Sequence, residues 1–261
     1  TTSVTDCNNY TSYEKDEYIL LPGLGFTYEA NNENQVYGGI HMGMAPPAVG
    51  DAGYRQISNL KSQKSFNFEL GLINNSFEDK LGLTFETAAF RTVERDRPVK
   101  SSLRTAGTGS TLKNIGTTFS DGVEFSANWD QSRYSKKLRN WFATLSYSFM
   151  YPKLKTHQKG ERSSSDAGSP IVVDDIFEND IPFVPRHKGL VTIGYGASNK
   201  WDISTTARYR GEYFTDIDNT KGIGQSGRWG QVDDHWIINA RGNYTLSKLN
   251  NSTLYLSLTN I

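Results

Sequence analysis

The sequence predicts an all-β fold, an antiparallel up-and-down transmembrane β-barrel to which this chain contributes about ten strands. Three observations indicate it. Short stretches alternate apolar and polar residues, the connections between them alternate between short and long, and aromatic residues make up 12% of the 261 residues, with 14 Tyr and 24 Gly. Exposed strands and the aromatic belts of a membrane interface favour this composition.

The clearest alternation runs from Trp201 to Tyr213. Successive side chains of a strand point to opposite faces, so this segment has an apolar, aromatic face and a polar, charged face. The apolar face comprises Trp201, Ile203, Ala207, Tyr209 and Tyr213, and the polar face comprises Asp202, Ser204, Thr206, Arg208, Arg210 and Glu212. A wall that is apolar outside and polar inside is what a transmembrane barrel requires.

Alternation and turn residues define five strands in the first half of the chain. They are about Tyr18–Glu29, Gln35–Met44, Phe66–Ile73, a strand beginning at Leu81, and about Gly116–Trp129. The polar turn 30–34 joins the first two, and the polar segment 74–80 joins the third to the fourth. In the fifth strand Val123 and Phe125 point outward and Glu124 points inward.

Five further strands follow. They are Trp141–Tyr151, Arg186–Ala197, Trp201–Tyr213, about Gln231–Leu246, and a strand beginning at Thr253. Trp141, Leu145 and Phe149 share one face of the sixth strand. Only residues 198–200 join the seventh strand to the eighth, which predicts a tight hairpin.

The connections alternate in length in a way that gives the wall an orientation. Short turns follow the odd-numbered strands, and long connections follow the even-numbered strands, at 45–65, 94–115, 152–185 and 214–230. Outer-membrane barrels have short periplasmic turns and long extracellular loops. The odd-numbered strands are therefore predicted to run toward the periplasm.

The bulk composition excludes several other classes. Lys plus Arg and Asp plus Glu both number 28, so net charge gives no reason to expect a nucleic-acid partner. Mean hydropathy is −0.57, and no run approaches the roughly 18 apolar residues of a membrane helix. We expect both ends of the chain to be truncated and residues 1–17 to be the remainder of an extracellular loop. Cys7 is either a free thiol or half of a disulfide, and the sequence leaves both open.

Five motifs occur in a fixed order beyond about Tyr18. They are Leu21–Tyr28 leading into Gln35–Pro47, then Ser65–Gly71, Asp121–Phe125, Ile181–His187 and Leu254–Ile261. As an ordered set they resemble the TonB-dependent outer-membrane receptors, especially the ferric-citrate-receptor-like branch. The last motif resembles the penultimate strand of that family.

The resemblance implies a 22-stranded barrel with a plugged lumen, in which this chain supplies strands 12 to 21. It implies a plug domain and a closing strand outside this chain, and engagement of the TonB complex through the plug. Further expected partners are a ferric chelate, outer-membrane lipid and lipopolysaccharide. The protein is expected to be a monomer in the outer membrane of a Gram-negative bacterium, with no cofactor, because iron arrives already chelated.

The same resemblance directs attention to groups that bind anions. Ligand-binding candidates in and around the second long connection are Arg91, Arg95, Arg97 and Arg104. Guanidinium groups suit carboxylate ligands because they donate in a planar fork. The competing interpretation is a loop that faces solvent or lipopolysaccharide, and it carries more weight because surface loops are usually polar.

A second group of charges is predicted to point into the lumen. These residues are Glu69, Glu86, Glu124, Arg208, Arg210 and Arg241. We expect them to pair with one another or with the plug, because a buried charge without a partner is costly. Contact with a ligand is the second interpretation.

No motif predicts catalysis, so the chain is not expected to be an enzyme. Its four His residues lack metal-ligand spacing and have no companion cysteines. The acidic run Asp174, Asp175, Glu178 and Asp180 has oxygen ligands suited to Ca²⁺ but lacks the spacing of a calcium loop. We interpret it as surface charge on a long loop.

Three functions follow, in order of preference. The first is TonB-energised uptake of a ferric chelate such as ferric citrate or a siderophore. The second keeps the fold and imports a vitamin or a saccharide. The third, from another class, is a soluble secreted β-sandwich that binds a partner.

Overall fold

The strands predicted from alternation pair into one large sheet. The computed structural model describes residues 18–46, 60–100, 112–135, 140–157, 175–197, 200–222, 230–246 and 252–261. The strands are β1 (Gly23–Asn31), β2 (Asn34–Ala45), β3 (Gln63–Phe77), β4 (Leu83–Lys100), β5 (Leu112–Asp130), β6 (Asn140–Leu154), β7 (His187–Ala197), β8 (Trp201–Arg210), β9 (Tyr213–Phe214), β10 (Gln231–Val232), β11 (His235–Leu246) and β12 (Ser252–Leu258). Two short helices, α1 (Glu78–Leu81) and a 3₁₀ turn (Gln131–Arg133), lie between strands.

Each strand of the large sheet pairs antiparallel with the next. The order is β1-β2-β3-β4-β5-β6-β7-β8-β11-β12, so ten strands form an up-and-down sheet, while β9 and β10 form a separate two-stranded ribbon. The predicted fold class is confirmed. A sandwich requires two sheets packed face to face. The part of the chain that the structure describes forms a single large sheet, which does not support the β-sandwich interpretation.

Several predicted boundaries are wrong. β1 begins at Gly23 rather than at about Tyr18, and β3 continues to Phe77, into the segment 74–80 that was predicted as a turn. The connection predicted at 94–115 is strand at both of its ends, because β4 and β5 stay paired as far as Lys100 and Leu112. Ladder hydrogen bonds between the two backbones extend the strands beyond the apolar alternation that marks them in sequence. The predicted eighth and ninth strands are each divided: β8 ends at Arg210 and β11 begins at His235, and their outer ends form the ribbon of β9 and β10.

Register divides the sheet into two faces. Residues directly opposite each other on neighbouring strands share a face, and the row Ala88, Glu124, Ser148, Lys188 and Arg210 defines the polar face. The alternate residues define the apolar face, where Val123, Ile193 and Ile203 are 47%, 50% and 57% exposed. No second sheet covers that face among the described residues. The sheet therefore exposes its apolar residues on one face and gathers its polar residues on the other, as the sequence predicts.

Aromatic side chains on the apolar face lie near both edges of the sheet. The short-turn edge, where the odd-numbered predicted strands end, has Trp129, Trp141, Tyr195, Trp201 and Tyr244. The long-connection edge, at the other end of the strands, has Tyr147, Tyr151, Tyr209 and Trp236. Trp201 and Tyr209 are about 26 Å apart along β8 at the usual strand rise. That distance matches the height of the apolar band of an outer-membrane barrel.

The few fully buried apolar side chains lie at the long-connection edge. Leu154 and Ile176 are each 2% exposed, and Ile217 packs against them. Ile181 is also buried, at 1%. The described parts of two long connections, 175–186 and 211–222, therefore have a core of their own. Within the described ranges, no helix is long and apolar enough to cross a membrane.

Candidate functional site

The polar face gathers all six of the residues predicted to point into a lumen. Pairing places Glu86 opposite Ile73, Glu124 opposite Ala88, and Arg208 opposite Leu190. Glu69 and Arg210 share this face with them, and Arg241 lies opposite Ser204. The six separate by charge, because the carboxylates lie on β3–β5 and the guanidinium groups lie on β8 and β11.

Two carboxylates of the acidic group, which comprises Glu69, Glu86 and Glu124, accept hydrogen bonds from neutral partners. Glu86 accepts a hydrogen bond from the hydroxyl of Tyr37 at 2.7 Å, and Glu124 accepts one from Ser148 at 3.3 Å. Over the described ranges, none of these three carboxylates forms an ion pair with an arginine of the polar face. The predicted pairing of these Glu and Arg residues with one another is therefore not observed there.

A cavity of about 750 Å³ opens on the polar face at the long-connection edge. Its charged lining comprises Glu94, Arg97, Lys188, Arg208 and Arg210, and the segment Phe183–Pro185 adds an apolar side. Sites for small molecules have volumes of about 300–1,000 Å³ and a few convergent polar groups. The cavity therefore has the size and the polarity of a ligand site.

Among the described residues that line the cavity, Glu94 is the one carboxylate, and its charge is already neutralised. Glu94 accepts hydrogen bonds from Arg97 Nη1 at 2.8 Å, from Gln63 Nε2 at 2.6 Å and from the Thr118 hydroxyl at 3.1 Å. Arg97 thus contributes little uncompensated charge. The remaining cations, Lys188, Arg208 and Arg210, form the basic cluster.

The basic cluster has no carboxylate partner among the described residues. Lys188 lies directly opposite Arg210 on the neighbouring strand. The Arg210 guanidinium lies 4.3 Å from the centre of the Tyr213 ring, and its Nη2 is 3.5 Å from the carbonyl oxygen of Phe183. Its Nε is buried, and none of the described residues supplies an acceptor for it. The arrangement can bind an anion because its positive charges are preassembled and uncompensated.

The predicted ligand-binding arginines are divided by the structure. Arg91 lies on the apolar face, where its Nη2 donates to Asp121 at 2.8 Å. Arg95 also lies there, 5.9 Å from the centre of the Phe66 ring. Arg97 alone lines the cavity, and Arg104 lies outside the described residues. Arg91 and Arg95 belong to β4 rather than to a loop, and they lie on the face of β4 opposite to Glu94. Arg97 has the same strand parity, but it follows Asp96, whose φ is positive at 58°, and it lines the cavity in an ion pair with Glu94.

The acidic run of the longest connection is bound by basic side chains. Asp180 accepts from Lys153 at 2.6 Å and from two nitrogens of Arg186, each at 2.9 Å. Glu178 pairs with Lys155. The hydrogen bond to Asp180 raises the pKa of the Arg186 guanidinium above its usual value.

The interpretation of the run as surface charge is wrong for Asp180, whose side chain is 11% exposed, whereas the side chains of Glu178 and Asp175 are 42% and 51% exposed. Asp175 pairs with His157 at 2.6 Å, and Asp174 lies outside the described residues. The carboxylate of Asp180 is largely buried between its two cations, which leaves the run with a structural role in this connection. Among the described residues, no three His, Cys, Asp or Glu side chains converge as a metal site.

Two long connections are joined beside the cavity. The Asn219 side chain accepts from the amide of Asp180 at 2.6 Å and donates to its carbonyl oxygen at 2.9 Å. Asn179 donates to the carbonyl oxygen of Ile217 at 2.9 Å. The amide of Phe183 donates to the carbonyl oxygen of Phe214 at 2.7 Å. These bonds fix the position of Phe183 over the cavity.

Sequence reasoning missed Lys188, Glu94 and Phe183 as parts of one site. Lys188 could have been found once the register is known, because it lies directly opposite Arg210 and therefore shares a face with the charges of β8. Phe183 has a positive φ of 64° and follows no strand periodicity, so nothing in the sequence places it over the cavity.

Comparison with known proteins gives matches along the whole chain. A family model described as TonB dependent receptor-like, beta-barrel matches residues 1–261. The ferric citrate transporter FecA in its unliganded form is 20% identical, with a TM-score of 0.68 over 92% of this chain and 33% of that chain. The siderophore receptor PiuA from Acinetobacter baumannii is 18% identical, with a TM-score of 0.62 over 91% and 31%.

The ferric yersiniabactin uptake receptor FyuA from Yersinia pestis is also similar, at 18% identity and a TM-score of 0.59 over 92% of this chain and 32% of that one. At these identities the likeness establishes the fold. The chain spans about a third of the length of the solved structures it matches, from 31% to 33%.

Proposed function

Because this chain belongs to the TonB-dependent receptor β-barrel family, we propose that it forms part of the wall of an outer-membrane receptor that takes up a ferric chelate. The match of the family model to residues 1–261 is the observation that carries the proposal. The two-faced sheet supports it, since the apolar face suits lipid and the polar face suits a lumen. Ferric citrate and siderophore proteins among the similar structures favour an iron cargo.

In this proposal the role of each residue of the wall depends on its position in the sheet. The acidic group on β3–β5 faces a plug within the lumen and supplies acceptors for its basic side chains. The long connections and the cavity receive the chelate at the outer end. The TonB complex then acts on the plug, and iron passes as cargo within its chelate rather than bound by protein ligands. The protein is a receptor and transporter, not an enzyme.

The proposed setting is the outer membrane of a Gram-negative bacterium. The rows of aromatic side chains at the two edges suit the two interfaces of a bilayer. Lipid and lipopolysaccharide contact the apolar face, and the proposed barrel is a monomer because a closed barrel leaves no strand edge unpaired.

Deletion of the gene in an iron-starved host tests the proposal. We expect uptake of one radiolabelled ferric chelate to fall to the background of a strain lacking TonB, and complementation to restore it. Unchanged uptake of every ferric chelate, together with lost uptake of a vitamin or a saccharide, would assign the same fold to another cargo.

A further inference from the structure

We propose that the basic cluster of Lys188, Arg208 and Arg210 is a binding site for carboxylate groups, so that the cargo is a polyanionic chelate rather than a neutral one. This inference rests on the proposed function, because it specifies the charge and the chemical class of the ligand. The acceptor groups of the ligand lie in the cavity between β4 and β8, beside Phe183.

The placement of like charges is the first argument. Lys188 and Arg210 face each other directly across neighbouring strands. Like charges directly opposite in a sheet destabilise it. The nearest carboxylate in the chain beyond β8, Glu212, is occupied by the side-chain amide of Gln231 at 2.6 Å. An anion between Lys188 and Arg210 would convert their repulsion into attraction.

The hydrogen bonding of Arg210 is the second argument. Its Nε is buried and has no acceptor in the part of the chain that the structure describes, and its contact with the carbonyl oxygen of Phe183 is long at 3.5 Å. Buried donors in native proteins almost always have a partner. A carboxylate satisfies two nitrogens of one guanidinium at once, and Arg is the side chain whose planar fork fits it. The ligand group that satisfies the hydrogen-bond donors of Arg210 is therefore a carboxylate.

The shape of the site is the third argument, and it favours a small ligand over a protein surface. The cavity has a volume of about 750 Å³ and is bordered by the segment Phe183–Pro185. That segment is tied to the neighbouring connection by the bond from the Phe183 amide to Phe214. Phe183 is 61% exposed despite its apolar ring, so it supplies an uncovered apolar surface beside the cations. A compact organic anion matches this combination.

Equilibrium binding to the purified whole receptor tests the inference. The probes are ferric citrate, which is anionic, and a neutral ferric trihydroxamate. We expect Arg208→Gln and Arg210→Gln each to weaken ferric citrate binding roughly tenfold or more, because each removes a charge-assisted hydrogen bond. Arg210→Lys should fall between wild type and Arg210→Gln, because it keeps the charge and loses the fork. Lys188→Gln provides a further variant if Arg210→Gln does not fold.

Arg241→Gln is the matched control. It removes a guanidinium from the same polar face, where its Nε donates to Asn243 at 3.0 Å and it does not line the cavity. Ferric citrate binding should be unchanged in this variant. Equal binding of both probes by wild type, or unchanged ferric citrate binding in Arg208→Gln, Arg210→Gln and Lys188→Gln, would overturn the inference.

Two further outcomes separate this inference from the proposed function. If the receptor imports a neutral ferric chelate and the cluster variants import it as well as wild type does, the proposed function stands and the carboxylate site is rejected. Cluster variants that lower the thermal stability of the whole receptor without changing ferric citrate binding would assign the cluster to an acidic protein surface, and would also overturn the site.

Discussion

Glycines on the polar face are covered by aromatic rings from the neighbouring strand. Gly194 lies opposite Phe142, and Gly71 lies opposite Tyr37. A Cβ at Gly194 would lie 2.0 Å from the Phe142 ring, and one at Gly71 would lie 2.2 Å from the Tyr37 ring. The ring replaces the missing side chain of the glycine, which stabilises an otherwise weak strand position.

We predict that Gly194→Ala destabilises the protein by about 1–3 kcal/mol, because Phe142 must leave its position over the strand. Gly189→Ala in the same strand is the matched control, since the nearest atom to its Cβ, on Tyr209, is 3.7 Å away. Denaturant unfolding of the reconstituted protein measures both. Equal destabilisation by the two variants would contradict the claim that the ring over Gly194 is the reason a side chain is not tolerated there.

A second prediction at the residue scale concerns Asp180. Replacing it with Asn leaves Lys153 and Arg186 without their carboxylate, and the Lys153 and Asp180 side chains are only 10% and 11% exposed. We expect the connection 175–186 to lose about 3–5 kcal/mol of protection against local opening, because breaking a buried pair leaves an uncompensated charge. Hydrogen exchange of the Ile181 amide measures this loss.

The control for that prediction is Glu78→Gln, at the short-turn edge. Glu78 pairs with Arg133 at 2.8 Å, but these side chains are 44% and 37% exposed. Exposed pairs contribute at most about 1 kcal/mol, so local exchange should change little. If Glu78→Gln lowered local protection against exchange as much as Asp180→Asn does, burial would not be the reason that the Asp180 pair stabilises its connection.

At the scale of elements, two connections behave as one unit because Asn219 bonds the backbone of Asp180 in both directions. Asp216 supports this geometry from within its own connection, where it accepts from the amide and the hydroxyl of Thr220 at 3.2 and 3.1 Å. Neither set of hydrogen bonds could be predicted from the alternation of apolar and polar residues, because both lie outside the strands of the large sheet. Together they hold 211–222 against 175–186.

We predict that Asn219→Ala increases hydrogen exchange in both connections together, by an amount equivalent to about 1–3 kcal/mol, because it removes two hydrogen bonds from one site. Asn243→Ala is the control, since Asn243 donates to Asp202 at 2.9 Å near the opposite edge. Increased exchange confined to 211–222 would show that the two connections open independently.

Strands were easier to predict than connections, for a physical reason. The alternation of apolar and polar residues arises because every second side chain of a strand meets lipid, so the alternation marks where a strand begins. β7 and β12 accordingly begin within one residue of their predicted starts. β4 was predicted too short because its outer half has Arg91, Glu94 and Arg95, whose polarity resembles a loop. Its strand conformation there depends on pairing with β5, which is a nonlocal interaction.

At the scale of the whole molecule, the sequence placed charges on the correct face but could not place them relative to one another. Arg208 and Arg210 alternate with apolar residues, which predicts a shared face. Their separation from Glu69, Glu86 and Glu124 depends on the order of strands in the sheet, with β6 and β7 between the two groups. The cavity is a consequence of that order and of loop packing, so it appears only in the structure.

The central claim is that one face of this sheet meets lipid and the other lines a lumen. Spin labels placed singly at 203–208 along β8, in the reconstituted whole protein with Cys7 replaced by Ser, test it directly. The accessibility of each label to oxygen dissolved in lipid should oscillate with a period of two residues, with maxima at Ile203, Thr205 and Ala207. Uniform accessibility, or maxima at Ser204, Thr206 and Arg208, would contradict the claim.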